Sequence, residues 1–141
     1  MSDPNPRGRG AARRRLICRI AVVAALVGVF VTWVAYGPIR LDGTQGPNNG
    51  WLAAIVSGLA LVWIRMLESW PGVIGVVGSG FVIAWTALEN WLDARATIGA
   101  SAAPGLLLIL AAAVVLTVAA VAQGVELAGG RLKHRASERA V

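Results

Sequence analysis

The chain has 141 residues, the length of one domain, and its composition excludes an ordinary soluble globular protein. Hydrophobic residues make up 57% of it and charged residues only 14%. The net charge of +6 does not indicate a nucleic-acid partner, because most of the basic residues precede the first apolar stretch or follow the last one, where topology signals lie.

The chain is predicted to open with a basic arm and a first membrane span. Residues 1–15 contain five arginines and hardly any large apolar side chain, so we expect a disordered cytoplasmic arm. Residues 16–36 are apolar over a length beyond that of a cleavable signal core, and no A-x-A-like site follows. We therefore expect them to remain in the protein as a transmembrane helix that Gly37-Pro38 ends.

Three further apolar stretches predict three more spans, over residues 51–67, 71–92 and 104–127. Pro71 and Pro104 stand where proline is favoured, in the first turn of a helix. Two turn-rich segments form the outer loops, and Gly129-Gly130 gives a stop signal before a basic cytoplasmic tail over residues 129–141. The predicted fold is all-α, a polytopic four-transmembrane-helix bundle over residues 16–128.

The lysines and arginines predict the orientation of these four spans. Eleven of the 13 fall on one side, against Arg40 and Arg95 on the other. The positive-inside rule places the eleven in the cytoplasm. We therefore expect a multi-pass protein of the cytoplasmic (inner) membrane with both termini cytoplasmic, whose basic tails attract anionic headgroups.

Small residues at helical spacing predict where the spans pack. In lipid, close packing of helices depends on small side chains that let backbones approach. The candidate packing residues are Gly28, Gly72, Gly75, Ser79, Thr86, Ala120 and Gly124. Packing within one four-helix bundle is the simpler interpretation of this pattern, and a seam between two copies is the alternative.

Polar residues at the outer end of the third span are candidates for a polar or ion-facing site: Glu89, Asn90 and Asp93. An ionisable residue inside a span is costly and suggests function by default. The structural alternative is an interfacial carboxylate, with Glu89 paired to Arg95 or Arg40.

At the inner end, Arg65 and Glu68 are three residues apart on a helix and are predicted to form an ion pair. Beyond these groups the sequence contains no phosphate loop, no H-E-x-x-H, no nucleophile elbow and no cysteine pair. Cys18 is the only cysteine, and His134 is the only histidine. We therefore expect no enzyme, no metal and no cofactor.

The layout from residue 37 to residue 121 resembles a group of uncharacterised four-helix integral membrane proteins of actinobacteria and their phages. The resemblance rests on an outer loop in which Leu41-Asp42-Gly43 leads to Asn49-Gly50-Trp51-Leu52, on an acidic end to the third span, and on Ile98-Gly99-Ala100-Ser101-Ala102-Ala103-Pro104-Gly105-Leu106 opening the last span. It implies the topology and no activity.

Two functional hypotheses follow from the sequence. The first is a non-enzymatic membrane protein that acts by association with itself or with a partner membrane protein, such as a larger transporter. The alternative is a small oligomeric channel or holin-like pore former, with Glu89, Asn90 and Asp93 at its outer mouth. No nucleic-acid partner is expected.

Overall fold

The computed structural model describes residues 6–45 and 49–138, with side chains over residues 10–45 and 49–131. This part of the chain is mostly helical. In chain order its elements are α1 (Pro6–Phe30), β1 (Thr32–Tyr36), β2 (Ile39–Asp42), α2 (Gly50–Arg65), α3 (Trp70–Ala96), β3 (Ala100–Ala102) and α4 (Pro104–Glu138). The prediction of a helical protein is confirmed, but the all-α prediction overlooked a small sheet.

The basic arm is part of the first helix. α1 begins at Pro6, so the prediction of disorder is wrong for residues 6–15, while residues 1–5 lie outside the described part of the chain. Arginine is a good helix former, and proline is favoured in a first turn. Two of the arginines also gain carboxylate partners, Arg14 with Glu126 on α4 and Arg15 with Glu68 in the turn between α2 and α3.

The first helix ends earlier than predicted. It stops at Phe30, and the residues from Thr32 to Tyr36 form a strand. Their β-branched and aromatic side chains favour extended backbone. Two carbonyls freed at the helix end find other donors, because the Trp33 indole Nε1–H donates to Gly28 O over 2.8 Å and the Gly43 amide donates to Val29 O over 2.9 Å.

The strands form one antiparallel sheet in the order β2-β1-β3. In the hairpin, Tyr36 pairs with Ile39 across Gly37-Pro38. Gly37 has φ +53°, as the first central residue of a type II′ turn requires, and proline suits the second position. β3 pairs with β1 from the other side, so the two predicted outer loops are joined through the sheet.

The other helices begin close to where the sequence places them. α2 starts at Gly50, α3 at Trp70 and α4 at Pro104. Ser69 is the N-cap of α3, and its Oγ accepts from Gly72 N over 3.4 Å. α4 continues through Gly129-Gly130 to Glu138, so the predicted end of the fourth span near residue 127 is wrong for the helix. Each glycine costs about 1 kcal/mol in a helix, which the good helix formers around the pair offset.

Two of these helices are long and apolar enough to cross a membrane. They are Trp70–Ala96, which contains an 18-residue window with a mean hydropathy of 1.7, and Pro104–Arg131, which contains one with a mean hydropathy of 2.8. α2 is apolar but shorter, at 16 residues.

The helices pack in a ring, with α4 between α1 and α3, and α2 closing the ring on the far side. The interior is filled by fully buried apolar side chains, among them Val22, Val76, Ile83, Ile109 and Leu116. One end of the bundle carries the sheet, and we name it the sheet end. The other, the basic end, holds the ion pairs of Arg14 and Arg15.

Candidate functional site

Glu89, Asn90 and Asp93 lie on α3 near the sheet end but do not share one surface. Asn90 is buried, with 7% of its surface exposed, and its Nδ2 donates to Thr86 O over 2.8 Å within the same helix. Glu89 and Asp93, one turn apart, are both exposed. The buried amide therefore belongs to the packing of the bundle, and only the two carboxylates face outward.

Glu89 lines a groove of about 460 Å³ between α2 and α3, which we name the α2–α3 groove. Among the described residues, Glu89 is the one ionisable residue in its wall. The exposed rings of Phe81 and Trp85 are stacked there, with centroids 6.4 Å apart. The described residues of the wall are Asn49, Leu52, Phe81, Val82, Trp85, Thr86 and Glu89.

Asn49 occupies the N-cap position of α2, but its side chain makes no capping hydrogen bond. Among the described residues the Asn49 side-chain amide has no hydrogen-bond partner, so it is an uncommitted polar group in the wall of the groove.

Neither expected partner of Glu89, Arg95 or Arg40, forms an ion pair with it among the described residues. The Arg95 guanidinium lies over the ring of Trp91, with its Cζ 4.4 Å from the ring centroid. Over residues 10–45 and 49–131, where side chains are described, no cation forms an ion pair with Glu89. The carboxylate therefore stands at the surface of an apolar groove without a counter-ion from this part of the chain.

The basic end is held by two ion pairs that the sequence did not predict. Arg14 forms a bidentate pair with Glu126 and also donates to Gln123 Oε1 over 2.8 Å. Arg15 pairs with Glu68. The predicted pair of Glu68 with Arg65 is not present among the described residues: α2 ends at Arg65, so the two are not three residues apart on one helix, and Glu68 pairs with Arg15. Arg14 and Arg15 were not expected as partners of these carboxylates, because the sequence predicts residues 1–15 to be disordered.

The candidate packing residues lie at helix contacts. A Cβ on Gly28 would come within 2.6 Å of Ile109 Cγ1, and a Cβ on Gly75 would overlap the Trp63 ring. Ala120 is fully buried, and Gly124 faces Val73. Ser79 and Thr86 donate to carbonyls four residues earlier, so their hydroxyls are satisfied inside α3. Gly72 packs against the Met66 carbonyl.

No protein-family model, no curated protein and no solved structure matches the chain. Within the described residues, no group of three histidine, cysteine, aspartate or glutamate side chains could hold a metal ion.

Proposed function

We propose that this chain is a four-span integral membrane protein that works by association, with itself or with a partner membrane protein. The observation that carries the proposal is the filled interior. Side chains such as Val76, Ile83 and Leu116 are fully buried along the bundle axis, so a single copy encloses no path for solute through this region. We therefore expect the protein to act through its exposed surfaces, by binding other molecules there.

The position of the helix ends supports the four-span topology. The Arg14–Glu126 pair brings the start of α1 and the later part of α4 to one end, as an even number of crossings requires. Together with the positive-inside rule, it supports the proposal of a multi-pass protein of the cytoplasmic membrane with both termini cytoplasmic, whose basic ends meet anionic headgroups. α2, about 24 Å long, is shorter than the roughly 30 Å hydrocarbon core, which local bilayer thinning accommodates.

The second candidate function is a channel or holin-like pore formed between copies. The exposed position of Glu89 and Asp93 favours it, because a ring of copies joined along α3 would bring these carboxylates around one opening. Asn90 would not line that mouth, since its amide is buried and bonded to Thr86 O.

One pair of measurements separates the two functions. Single-molecule photobleaching of a fluorescently tagged protein in native-membrane nanodiscs counts its copies, and liposomes containing the purified protein report ion and proton flux. Association predicts more than one bleaching step, or a partner that co-purifies in mild detergent, together with tight liposomes. Single-step bleaching without any partner would contradict the proposal. Flux lost in both Glu89→Gln and Asp93→Asn would establish the channel instead.

A further inference from the structure

The α2–α3 groove combines the Glu89 carboxylate with an apolar wall, and no described cation pairs with this carboxylate. We propose that the groove binds a phospholipid whose headgroup carries a primary ammonium, with the ammonium on Glu89 and an acyl chain along Phe81 and Trp85. The inference rests on the membrane placement proposed above and concerns a ligand, not an associated protein.

The depth of the groove fits a lipid. Trp70 and Trp91 are 21 residues apart on α3, which at 1.5 Å per residue is about 31 Å, close to the roughly 30 Å hydrocarbon thickness. Tryptophan prefers both boundaries of that region. Glu89 then lies about 3 Å inside the boundary at the sheet end, within reach of headgroups, and Phe81 lies about 12 Å deeper along the helix, among acyl chains.

The charge in the groove selects the headgroup. A carboxylate just inside the boundary and beside an apolar wall is stabilised when a cation meets it, and the described side chains supply none. An ammonium group offers three hydrogen-bond donors, which the Glu89 carboxylate and the uncommitted Asn49 amide oxygen can accept. A choline headgroup has the charge but no N–H, and a glycerol headgroup leaves a net negative lipid that Glu89 repels.

The apolar part of the wall is better suited to a lipid acyl chain than to a polar ligand. The exposed Phe81 and Trp85 stack into one continuous surface below Glu89, and Leu52 and Val82 complete it. The wall therefore changes from polar at the sheet end to apolar towards the middle of α3, in the same order as a phospholipid from headgroup to chain.

Native mass spectrometry of the purified full chain tests the proposal, with dioleoyl lipids bearing ethanolamine, choline or glycerol headgroups titrated in turn. We expect the ethanolamine lipid to bind most tightly. Glu89→Gln should weaken its binding about tenfold, the factor that corresponds to about 1.4 kcal/mol, and leave the glycerol lipid unaffected or bound more tightly. Trp85→Ala should weaken the ethanolamine and choline lipids alike.

Asp93→Asn is the matched control, because it removes an exposed carboxylate from the same helix, one turn beyond the groove. It should leave ethanolamine-lipid binding unchanged. Equal affinity for the three headgroups, tighter binding of choline, or equal effects of Glu89→Gln and Asp93→Asn would overturn the proposal. So would a cross-link from a photoreactive group at Leu52 to a second copy instead of to lipid. Photobleaching counts copies separately, so failure of this inference leaves association standing.

Discussion

Arg14 and Glu126, which are 112 residues apart in the chain, form a bidentate ion pair that ties α1 to α4 at the basic end. Arg14 also donates to Gln123, which is buried. The hydrogen bonds to Glu126 raise the pKa of Arg14 above its ordinary value, so the guanidinium remains charged at any pH that the protein meets. The contact fixes which ends of the first and last helices lie together.

Arg14→Ala should lower the thermal midpoint of unfolding, because it removes three hydrogen bonds and leaves Gln123 and Glu126 without their partner. Arg14→Lys should recover only part of the loss, since an ammonium cannot make the two parallel bonds of a guanidinium. Circular dichroism melts in detergent measure both. Arg19→Ala is the control, as Arg19 is exposed on the same helix and forms no ion pair with described residues. Equal melting of the Arg14→Ala and Arg19→Ala variants would contradict the role of the pair.

Two glycines of α3 should respond in opposite ways to the same substitution. A Cβ on Gly72 would overlap the carbonyl of Met66, whose backbone has little room to move, whereas a Cβ on Gly78 meets nothing within 4 Å. We expect Gly72→Ala to destabilise the protein by about 1–3 kcal/mol through overpacking. Gly78→Ala should stabilise it by about 0.5–1 kcal/mol through helix propensity. Unfolding in mixed detergent and SDS measures both, and a Gly72→Ala variant as stable as the Gly78→Ala variant would refute the close contact.

Local signals predicted the starts of α2, α3 and α4 well and the ends of α1 and α4 poorly. Proline and a serine cap mark the start of α3, and such signals act within one turn. By contrast, Thr32–Tyr36 continues an apolar run without a break, and apolar periodicity alone does not separate a buried strand from a helix. The strand is held by two pairings, one with the neighbouring β2 across the hairpin and one with Ala100–Ala102, which lies more than 60 residues later in the chain.

The candidate site shows the same division between local and distant information. Glu89 could be found from the sequence, because an ionisable residue near the end of an apolar stretch is rare. Asn49, Phe81 and Trp85 could not be joined to it, since their grouping depends on how α2 lies against α3. The burial of the Asn90 side chain likewise depends on which face of α3 meets the other helices.

Trp33 should be the most sensitive tryptophan to replacement by phenylalanine. It is fully buried, and its Nε1–H satisfies the Gly28 carbonyl where α1 ends. Trp33→Phe leaves that buried acceptor without its donor, which costs about 1–3 kcal/mol. Trp51→Phe is the matched control, because Trp51 is 57% exposed at the same end of the bundle. Thermal melts compare the two, and a Trp33→Phe variant as stable as the Trp51→Phe variant would show that the helix end does not depend on this bond.

The proposed orientation can be tested with cysteines at opposite ends of the bundle. Ser101 is exposed in the sheet, and Gly130 is exposed near the end of α4, where a Cβ meets nothing within 4 Å. The native Cys18 is fully buried, so its background labelling should be low. In intact cells, a membrane-impermeant maleimide should label Ser101→Cys at once and Gly130→Cys only after permeabilisation.

The labelling pattern distinguishes two kinds of error in the topology. The reverse pattern would show that the orientation is opposite to the proposed one. Eleven basic residues would then lie outside, and the positive-inside argument would fail for this chain. Labelling of both sites in intact cells would contradict the proposal that the bilayer separates them. Because neither substitution removes a charge, a change of pattern could not be attributed to an altered balance of lysine and arginine.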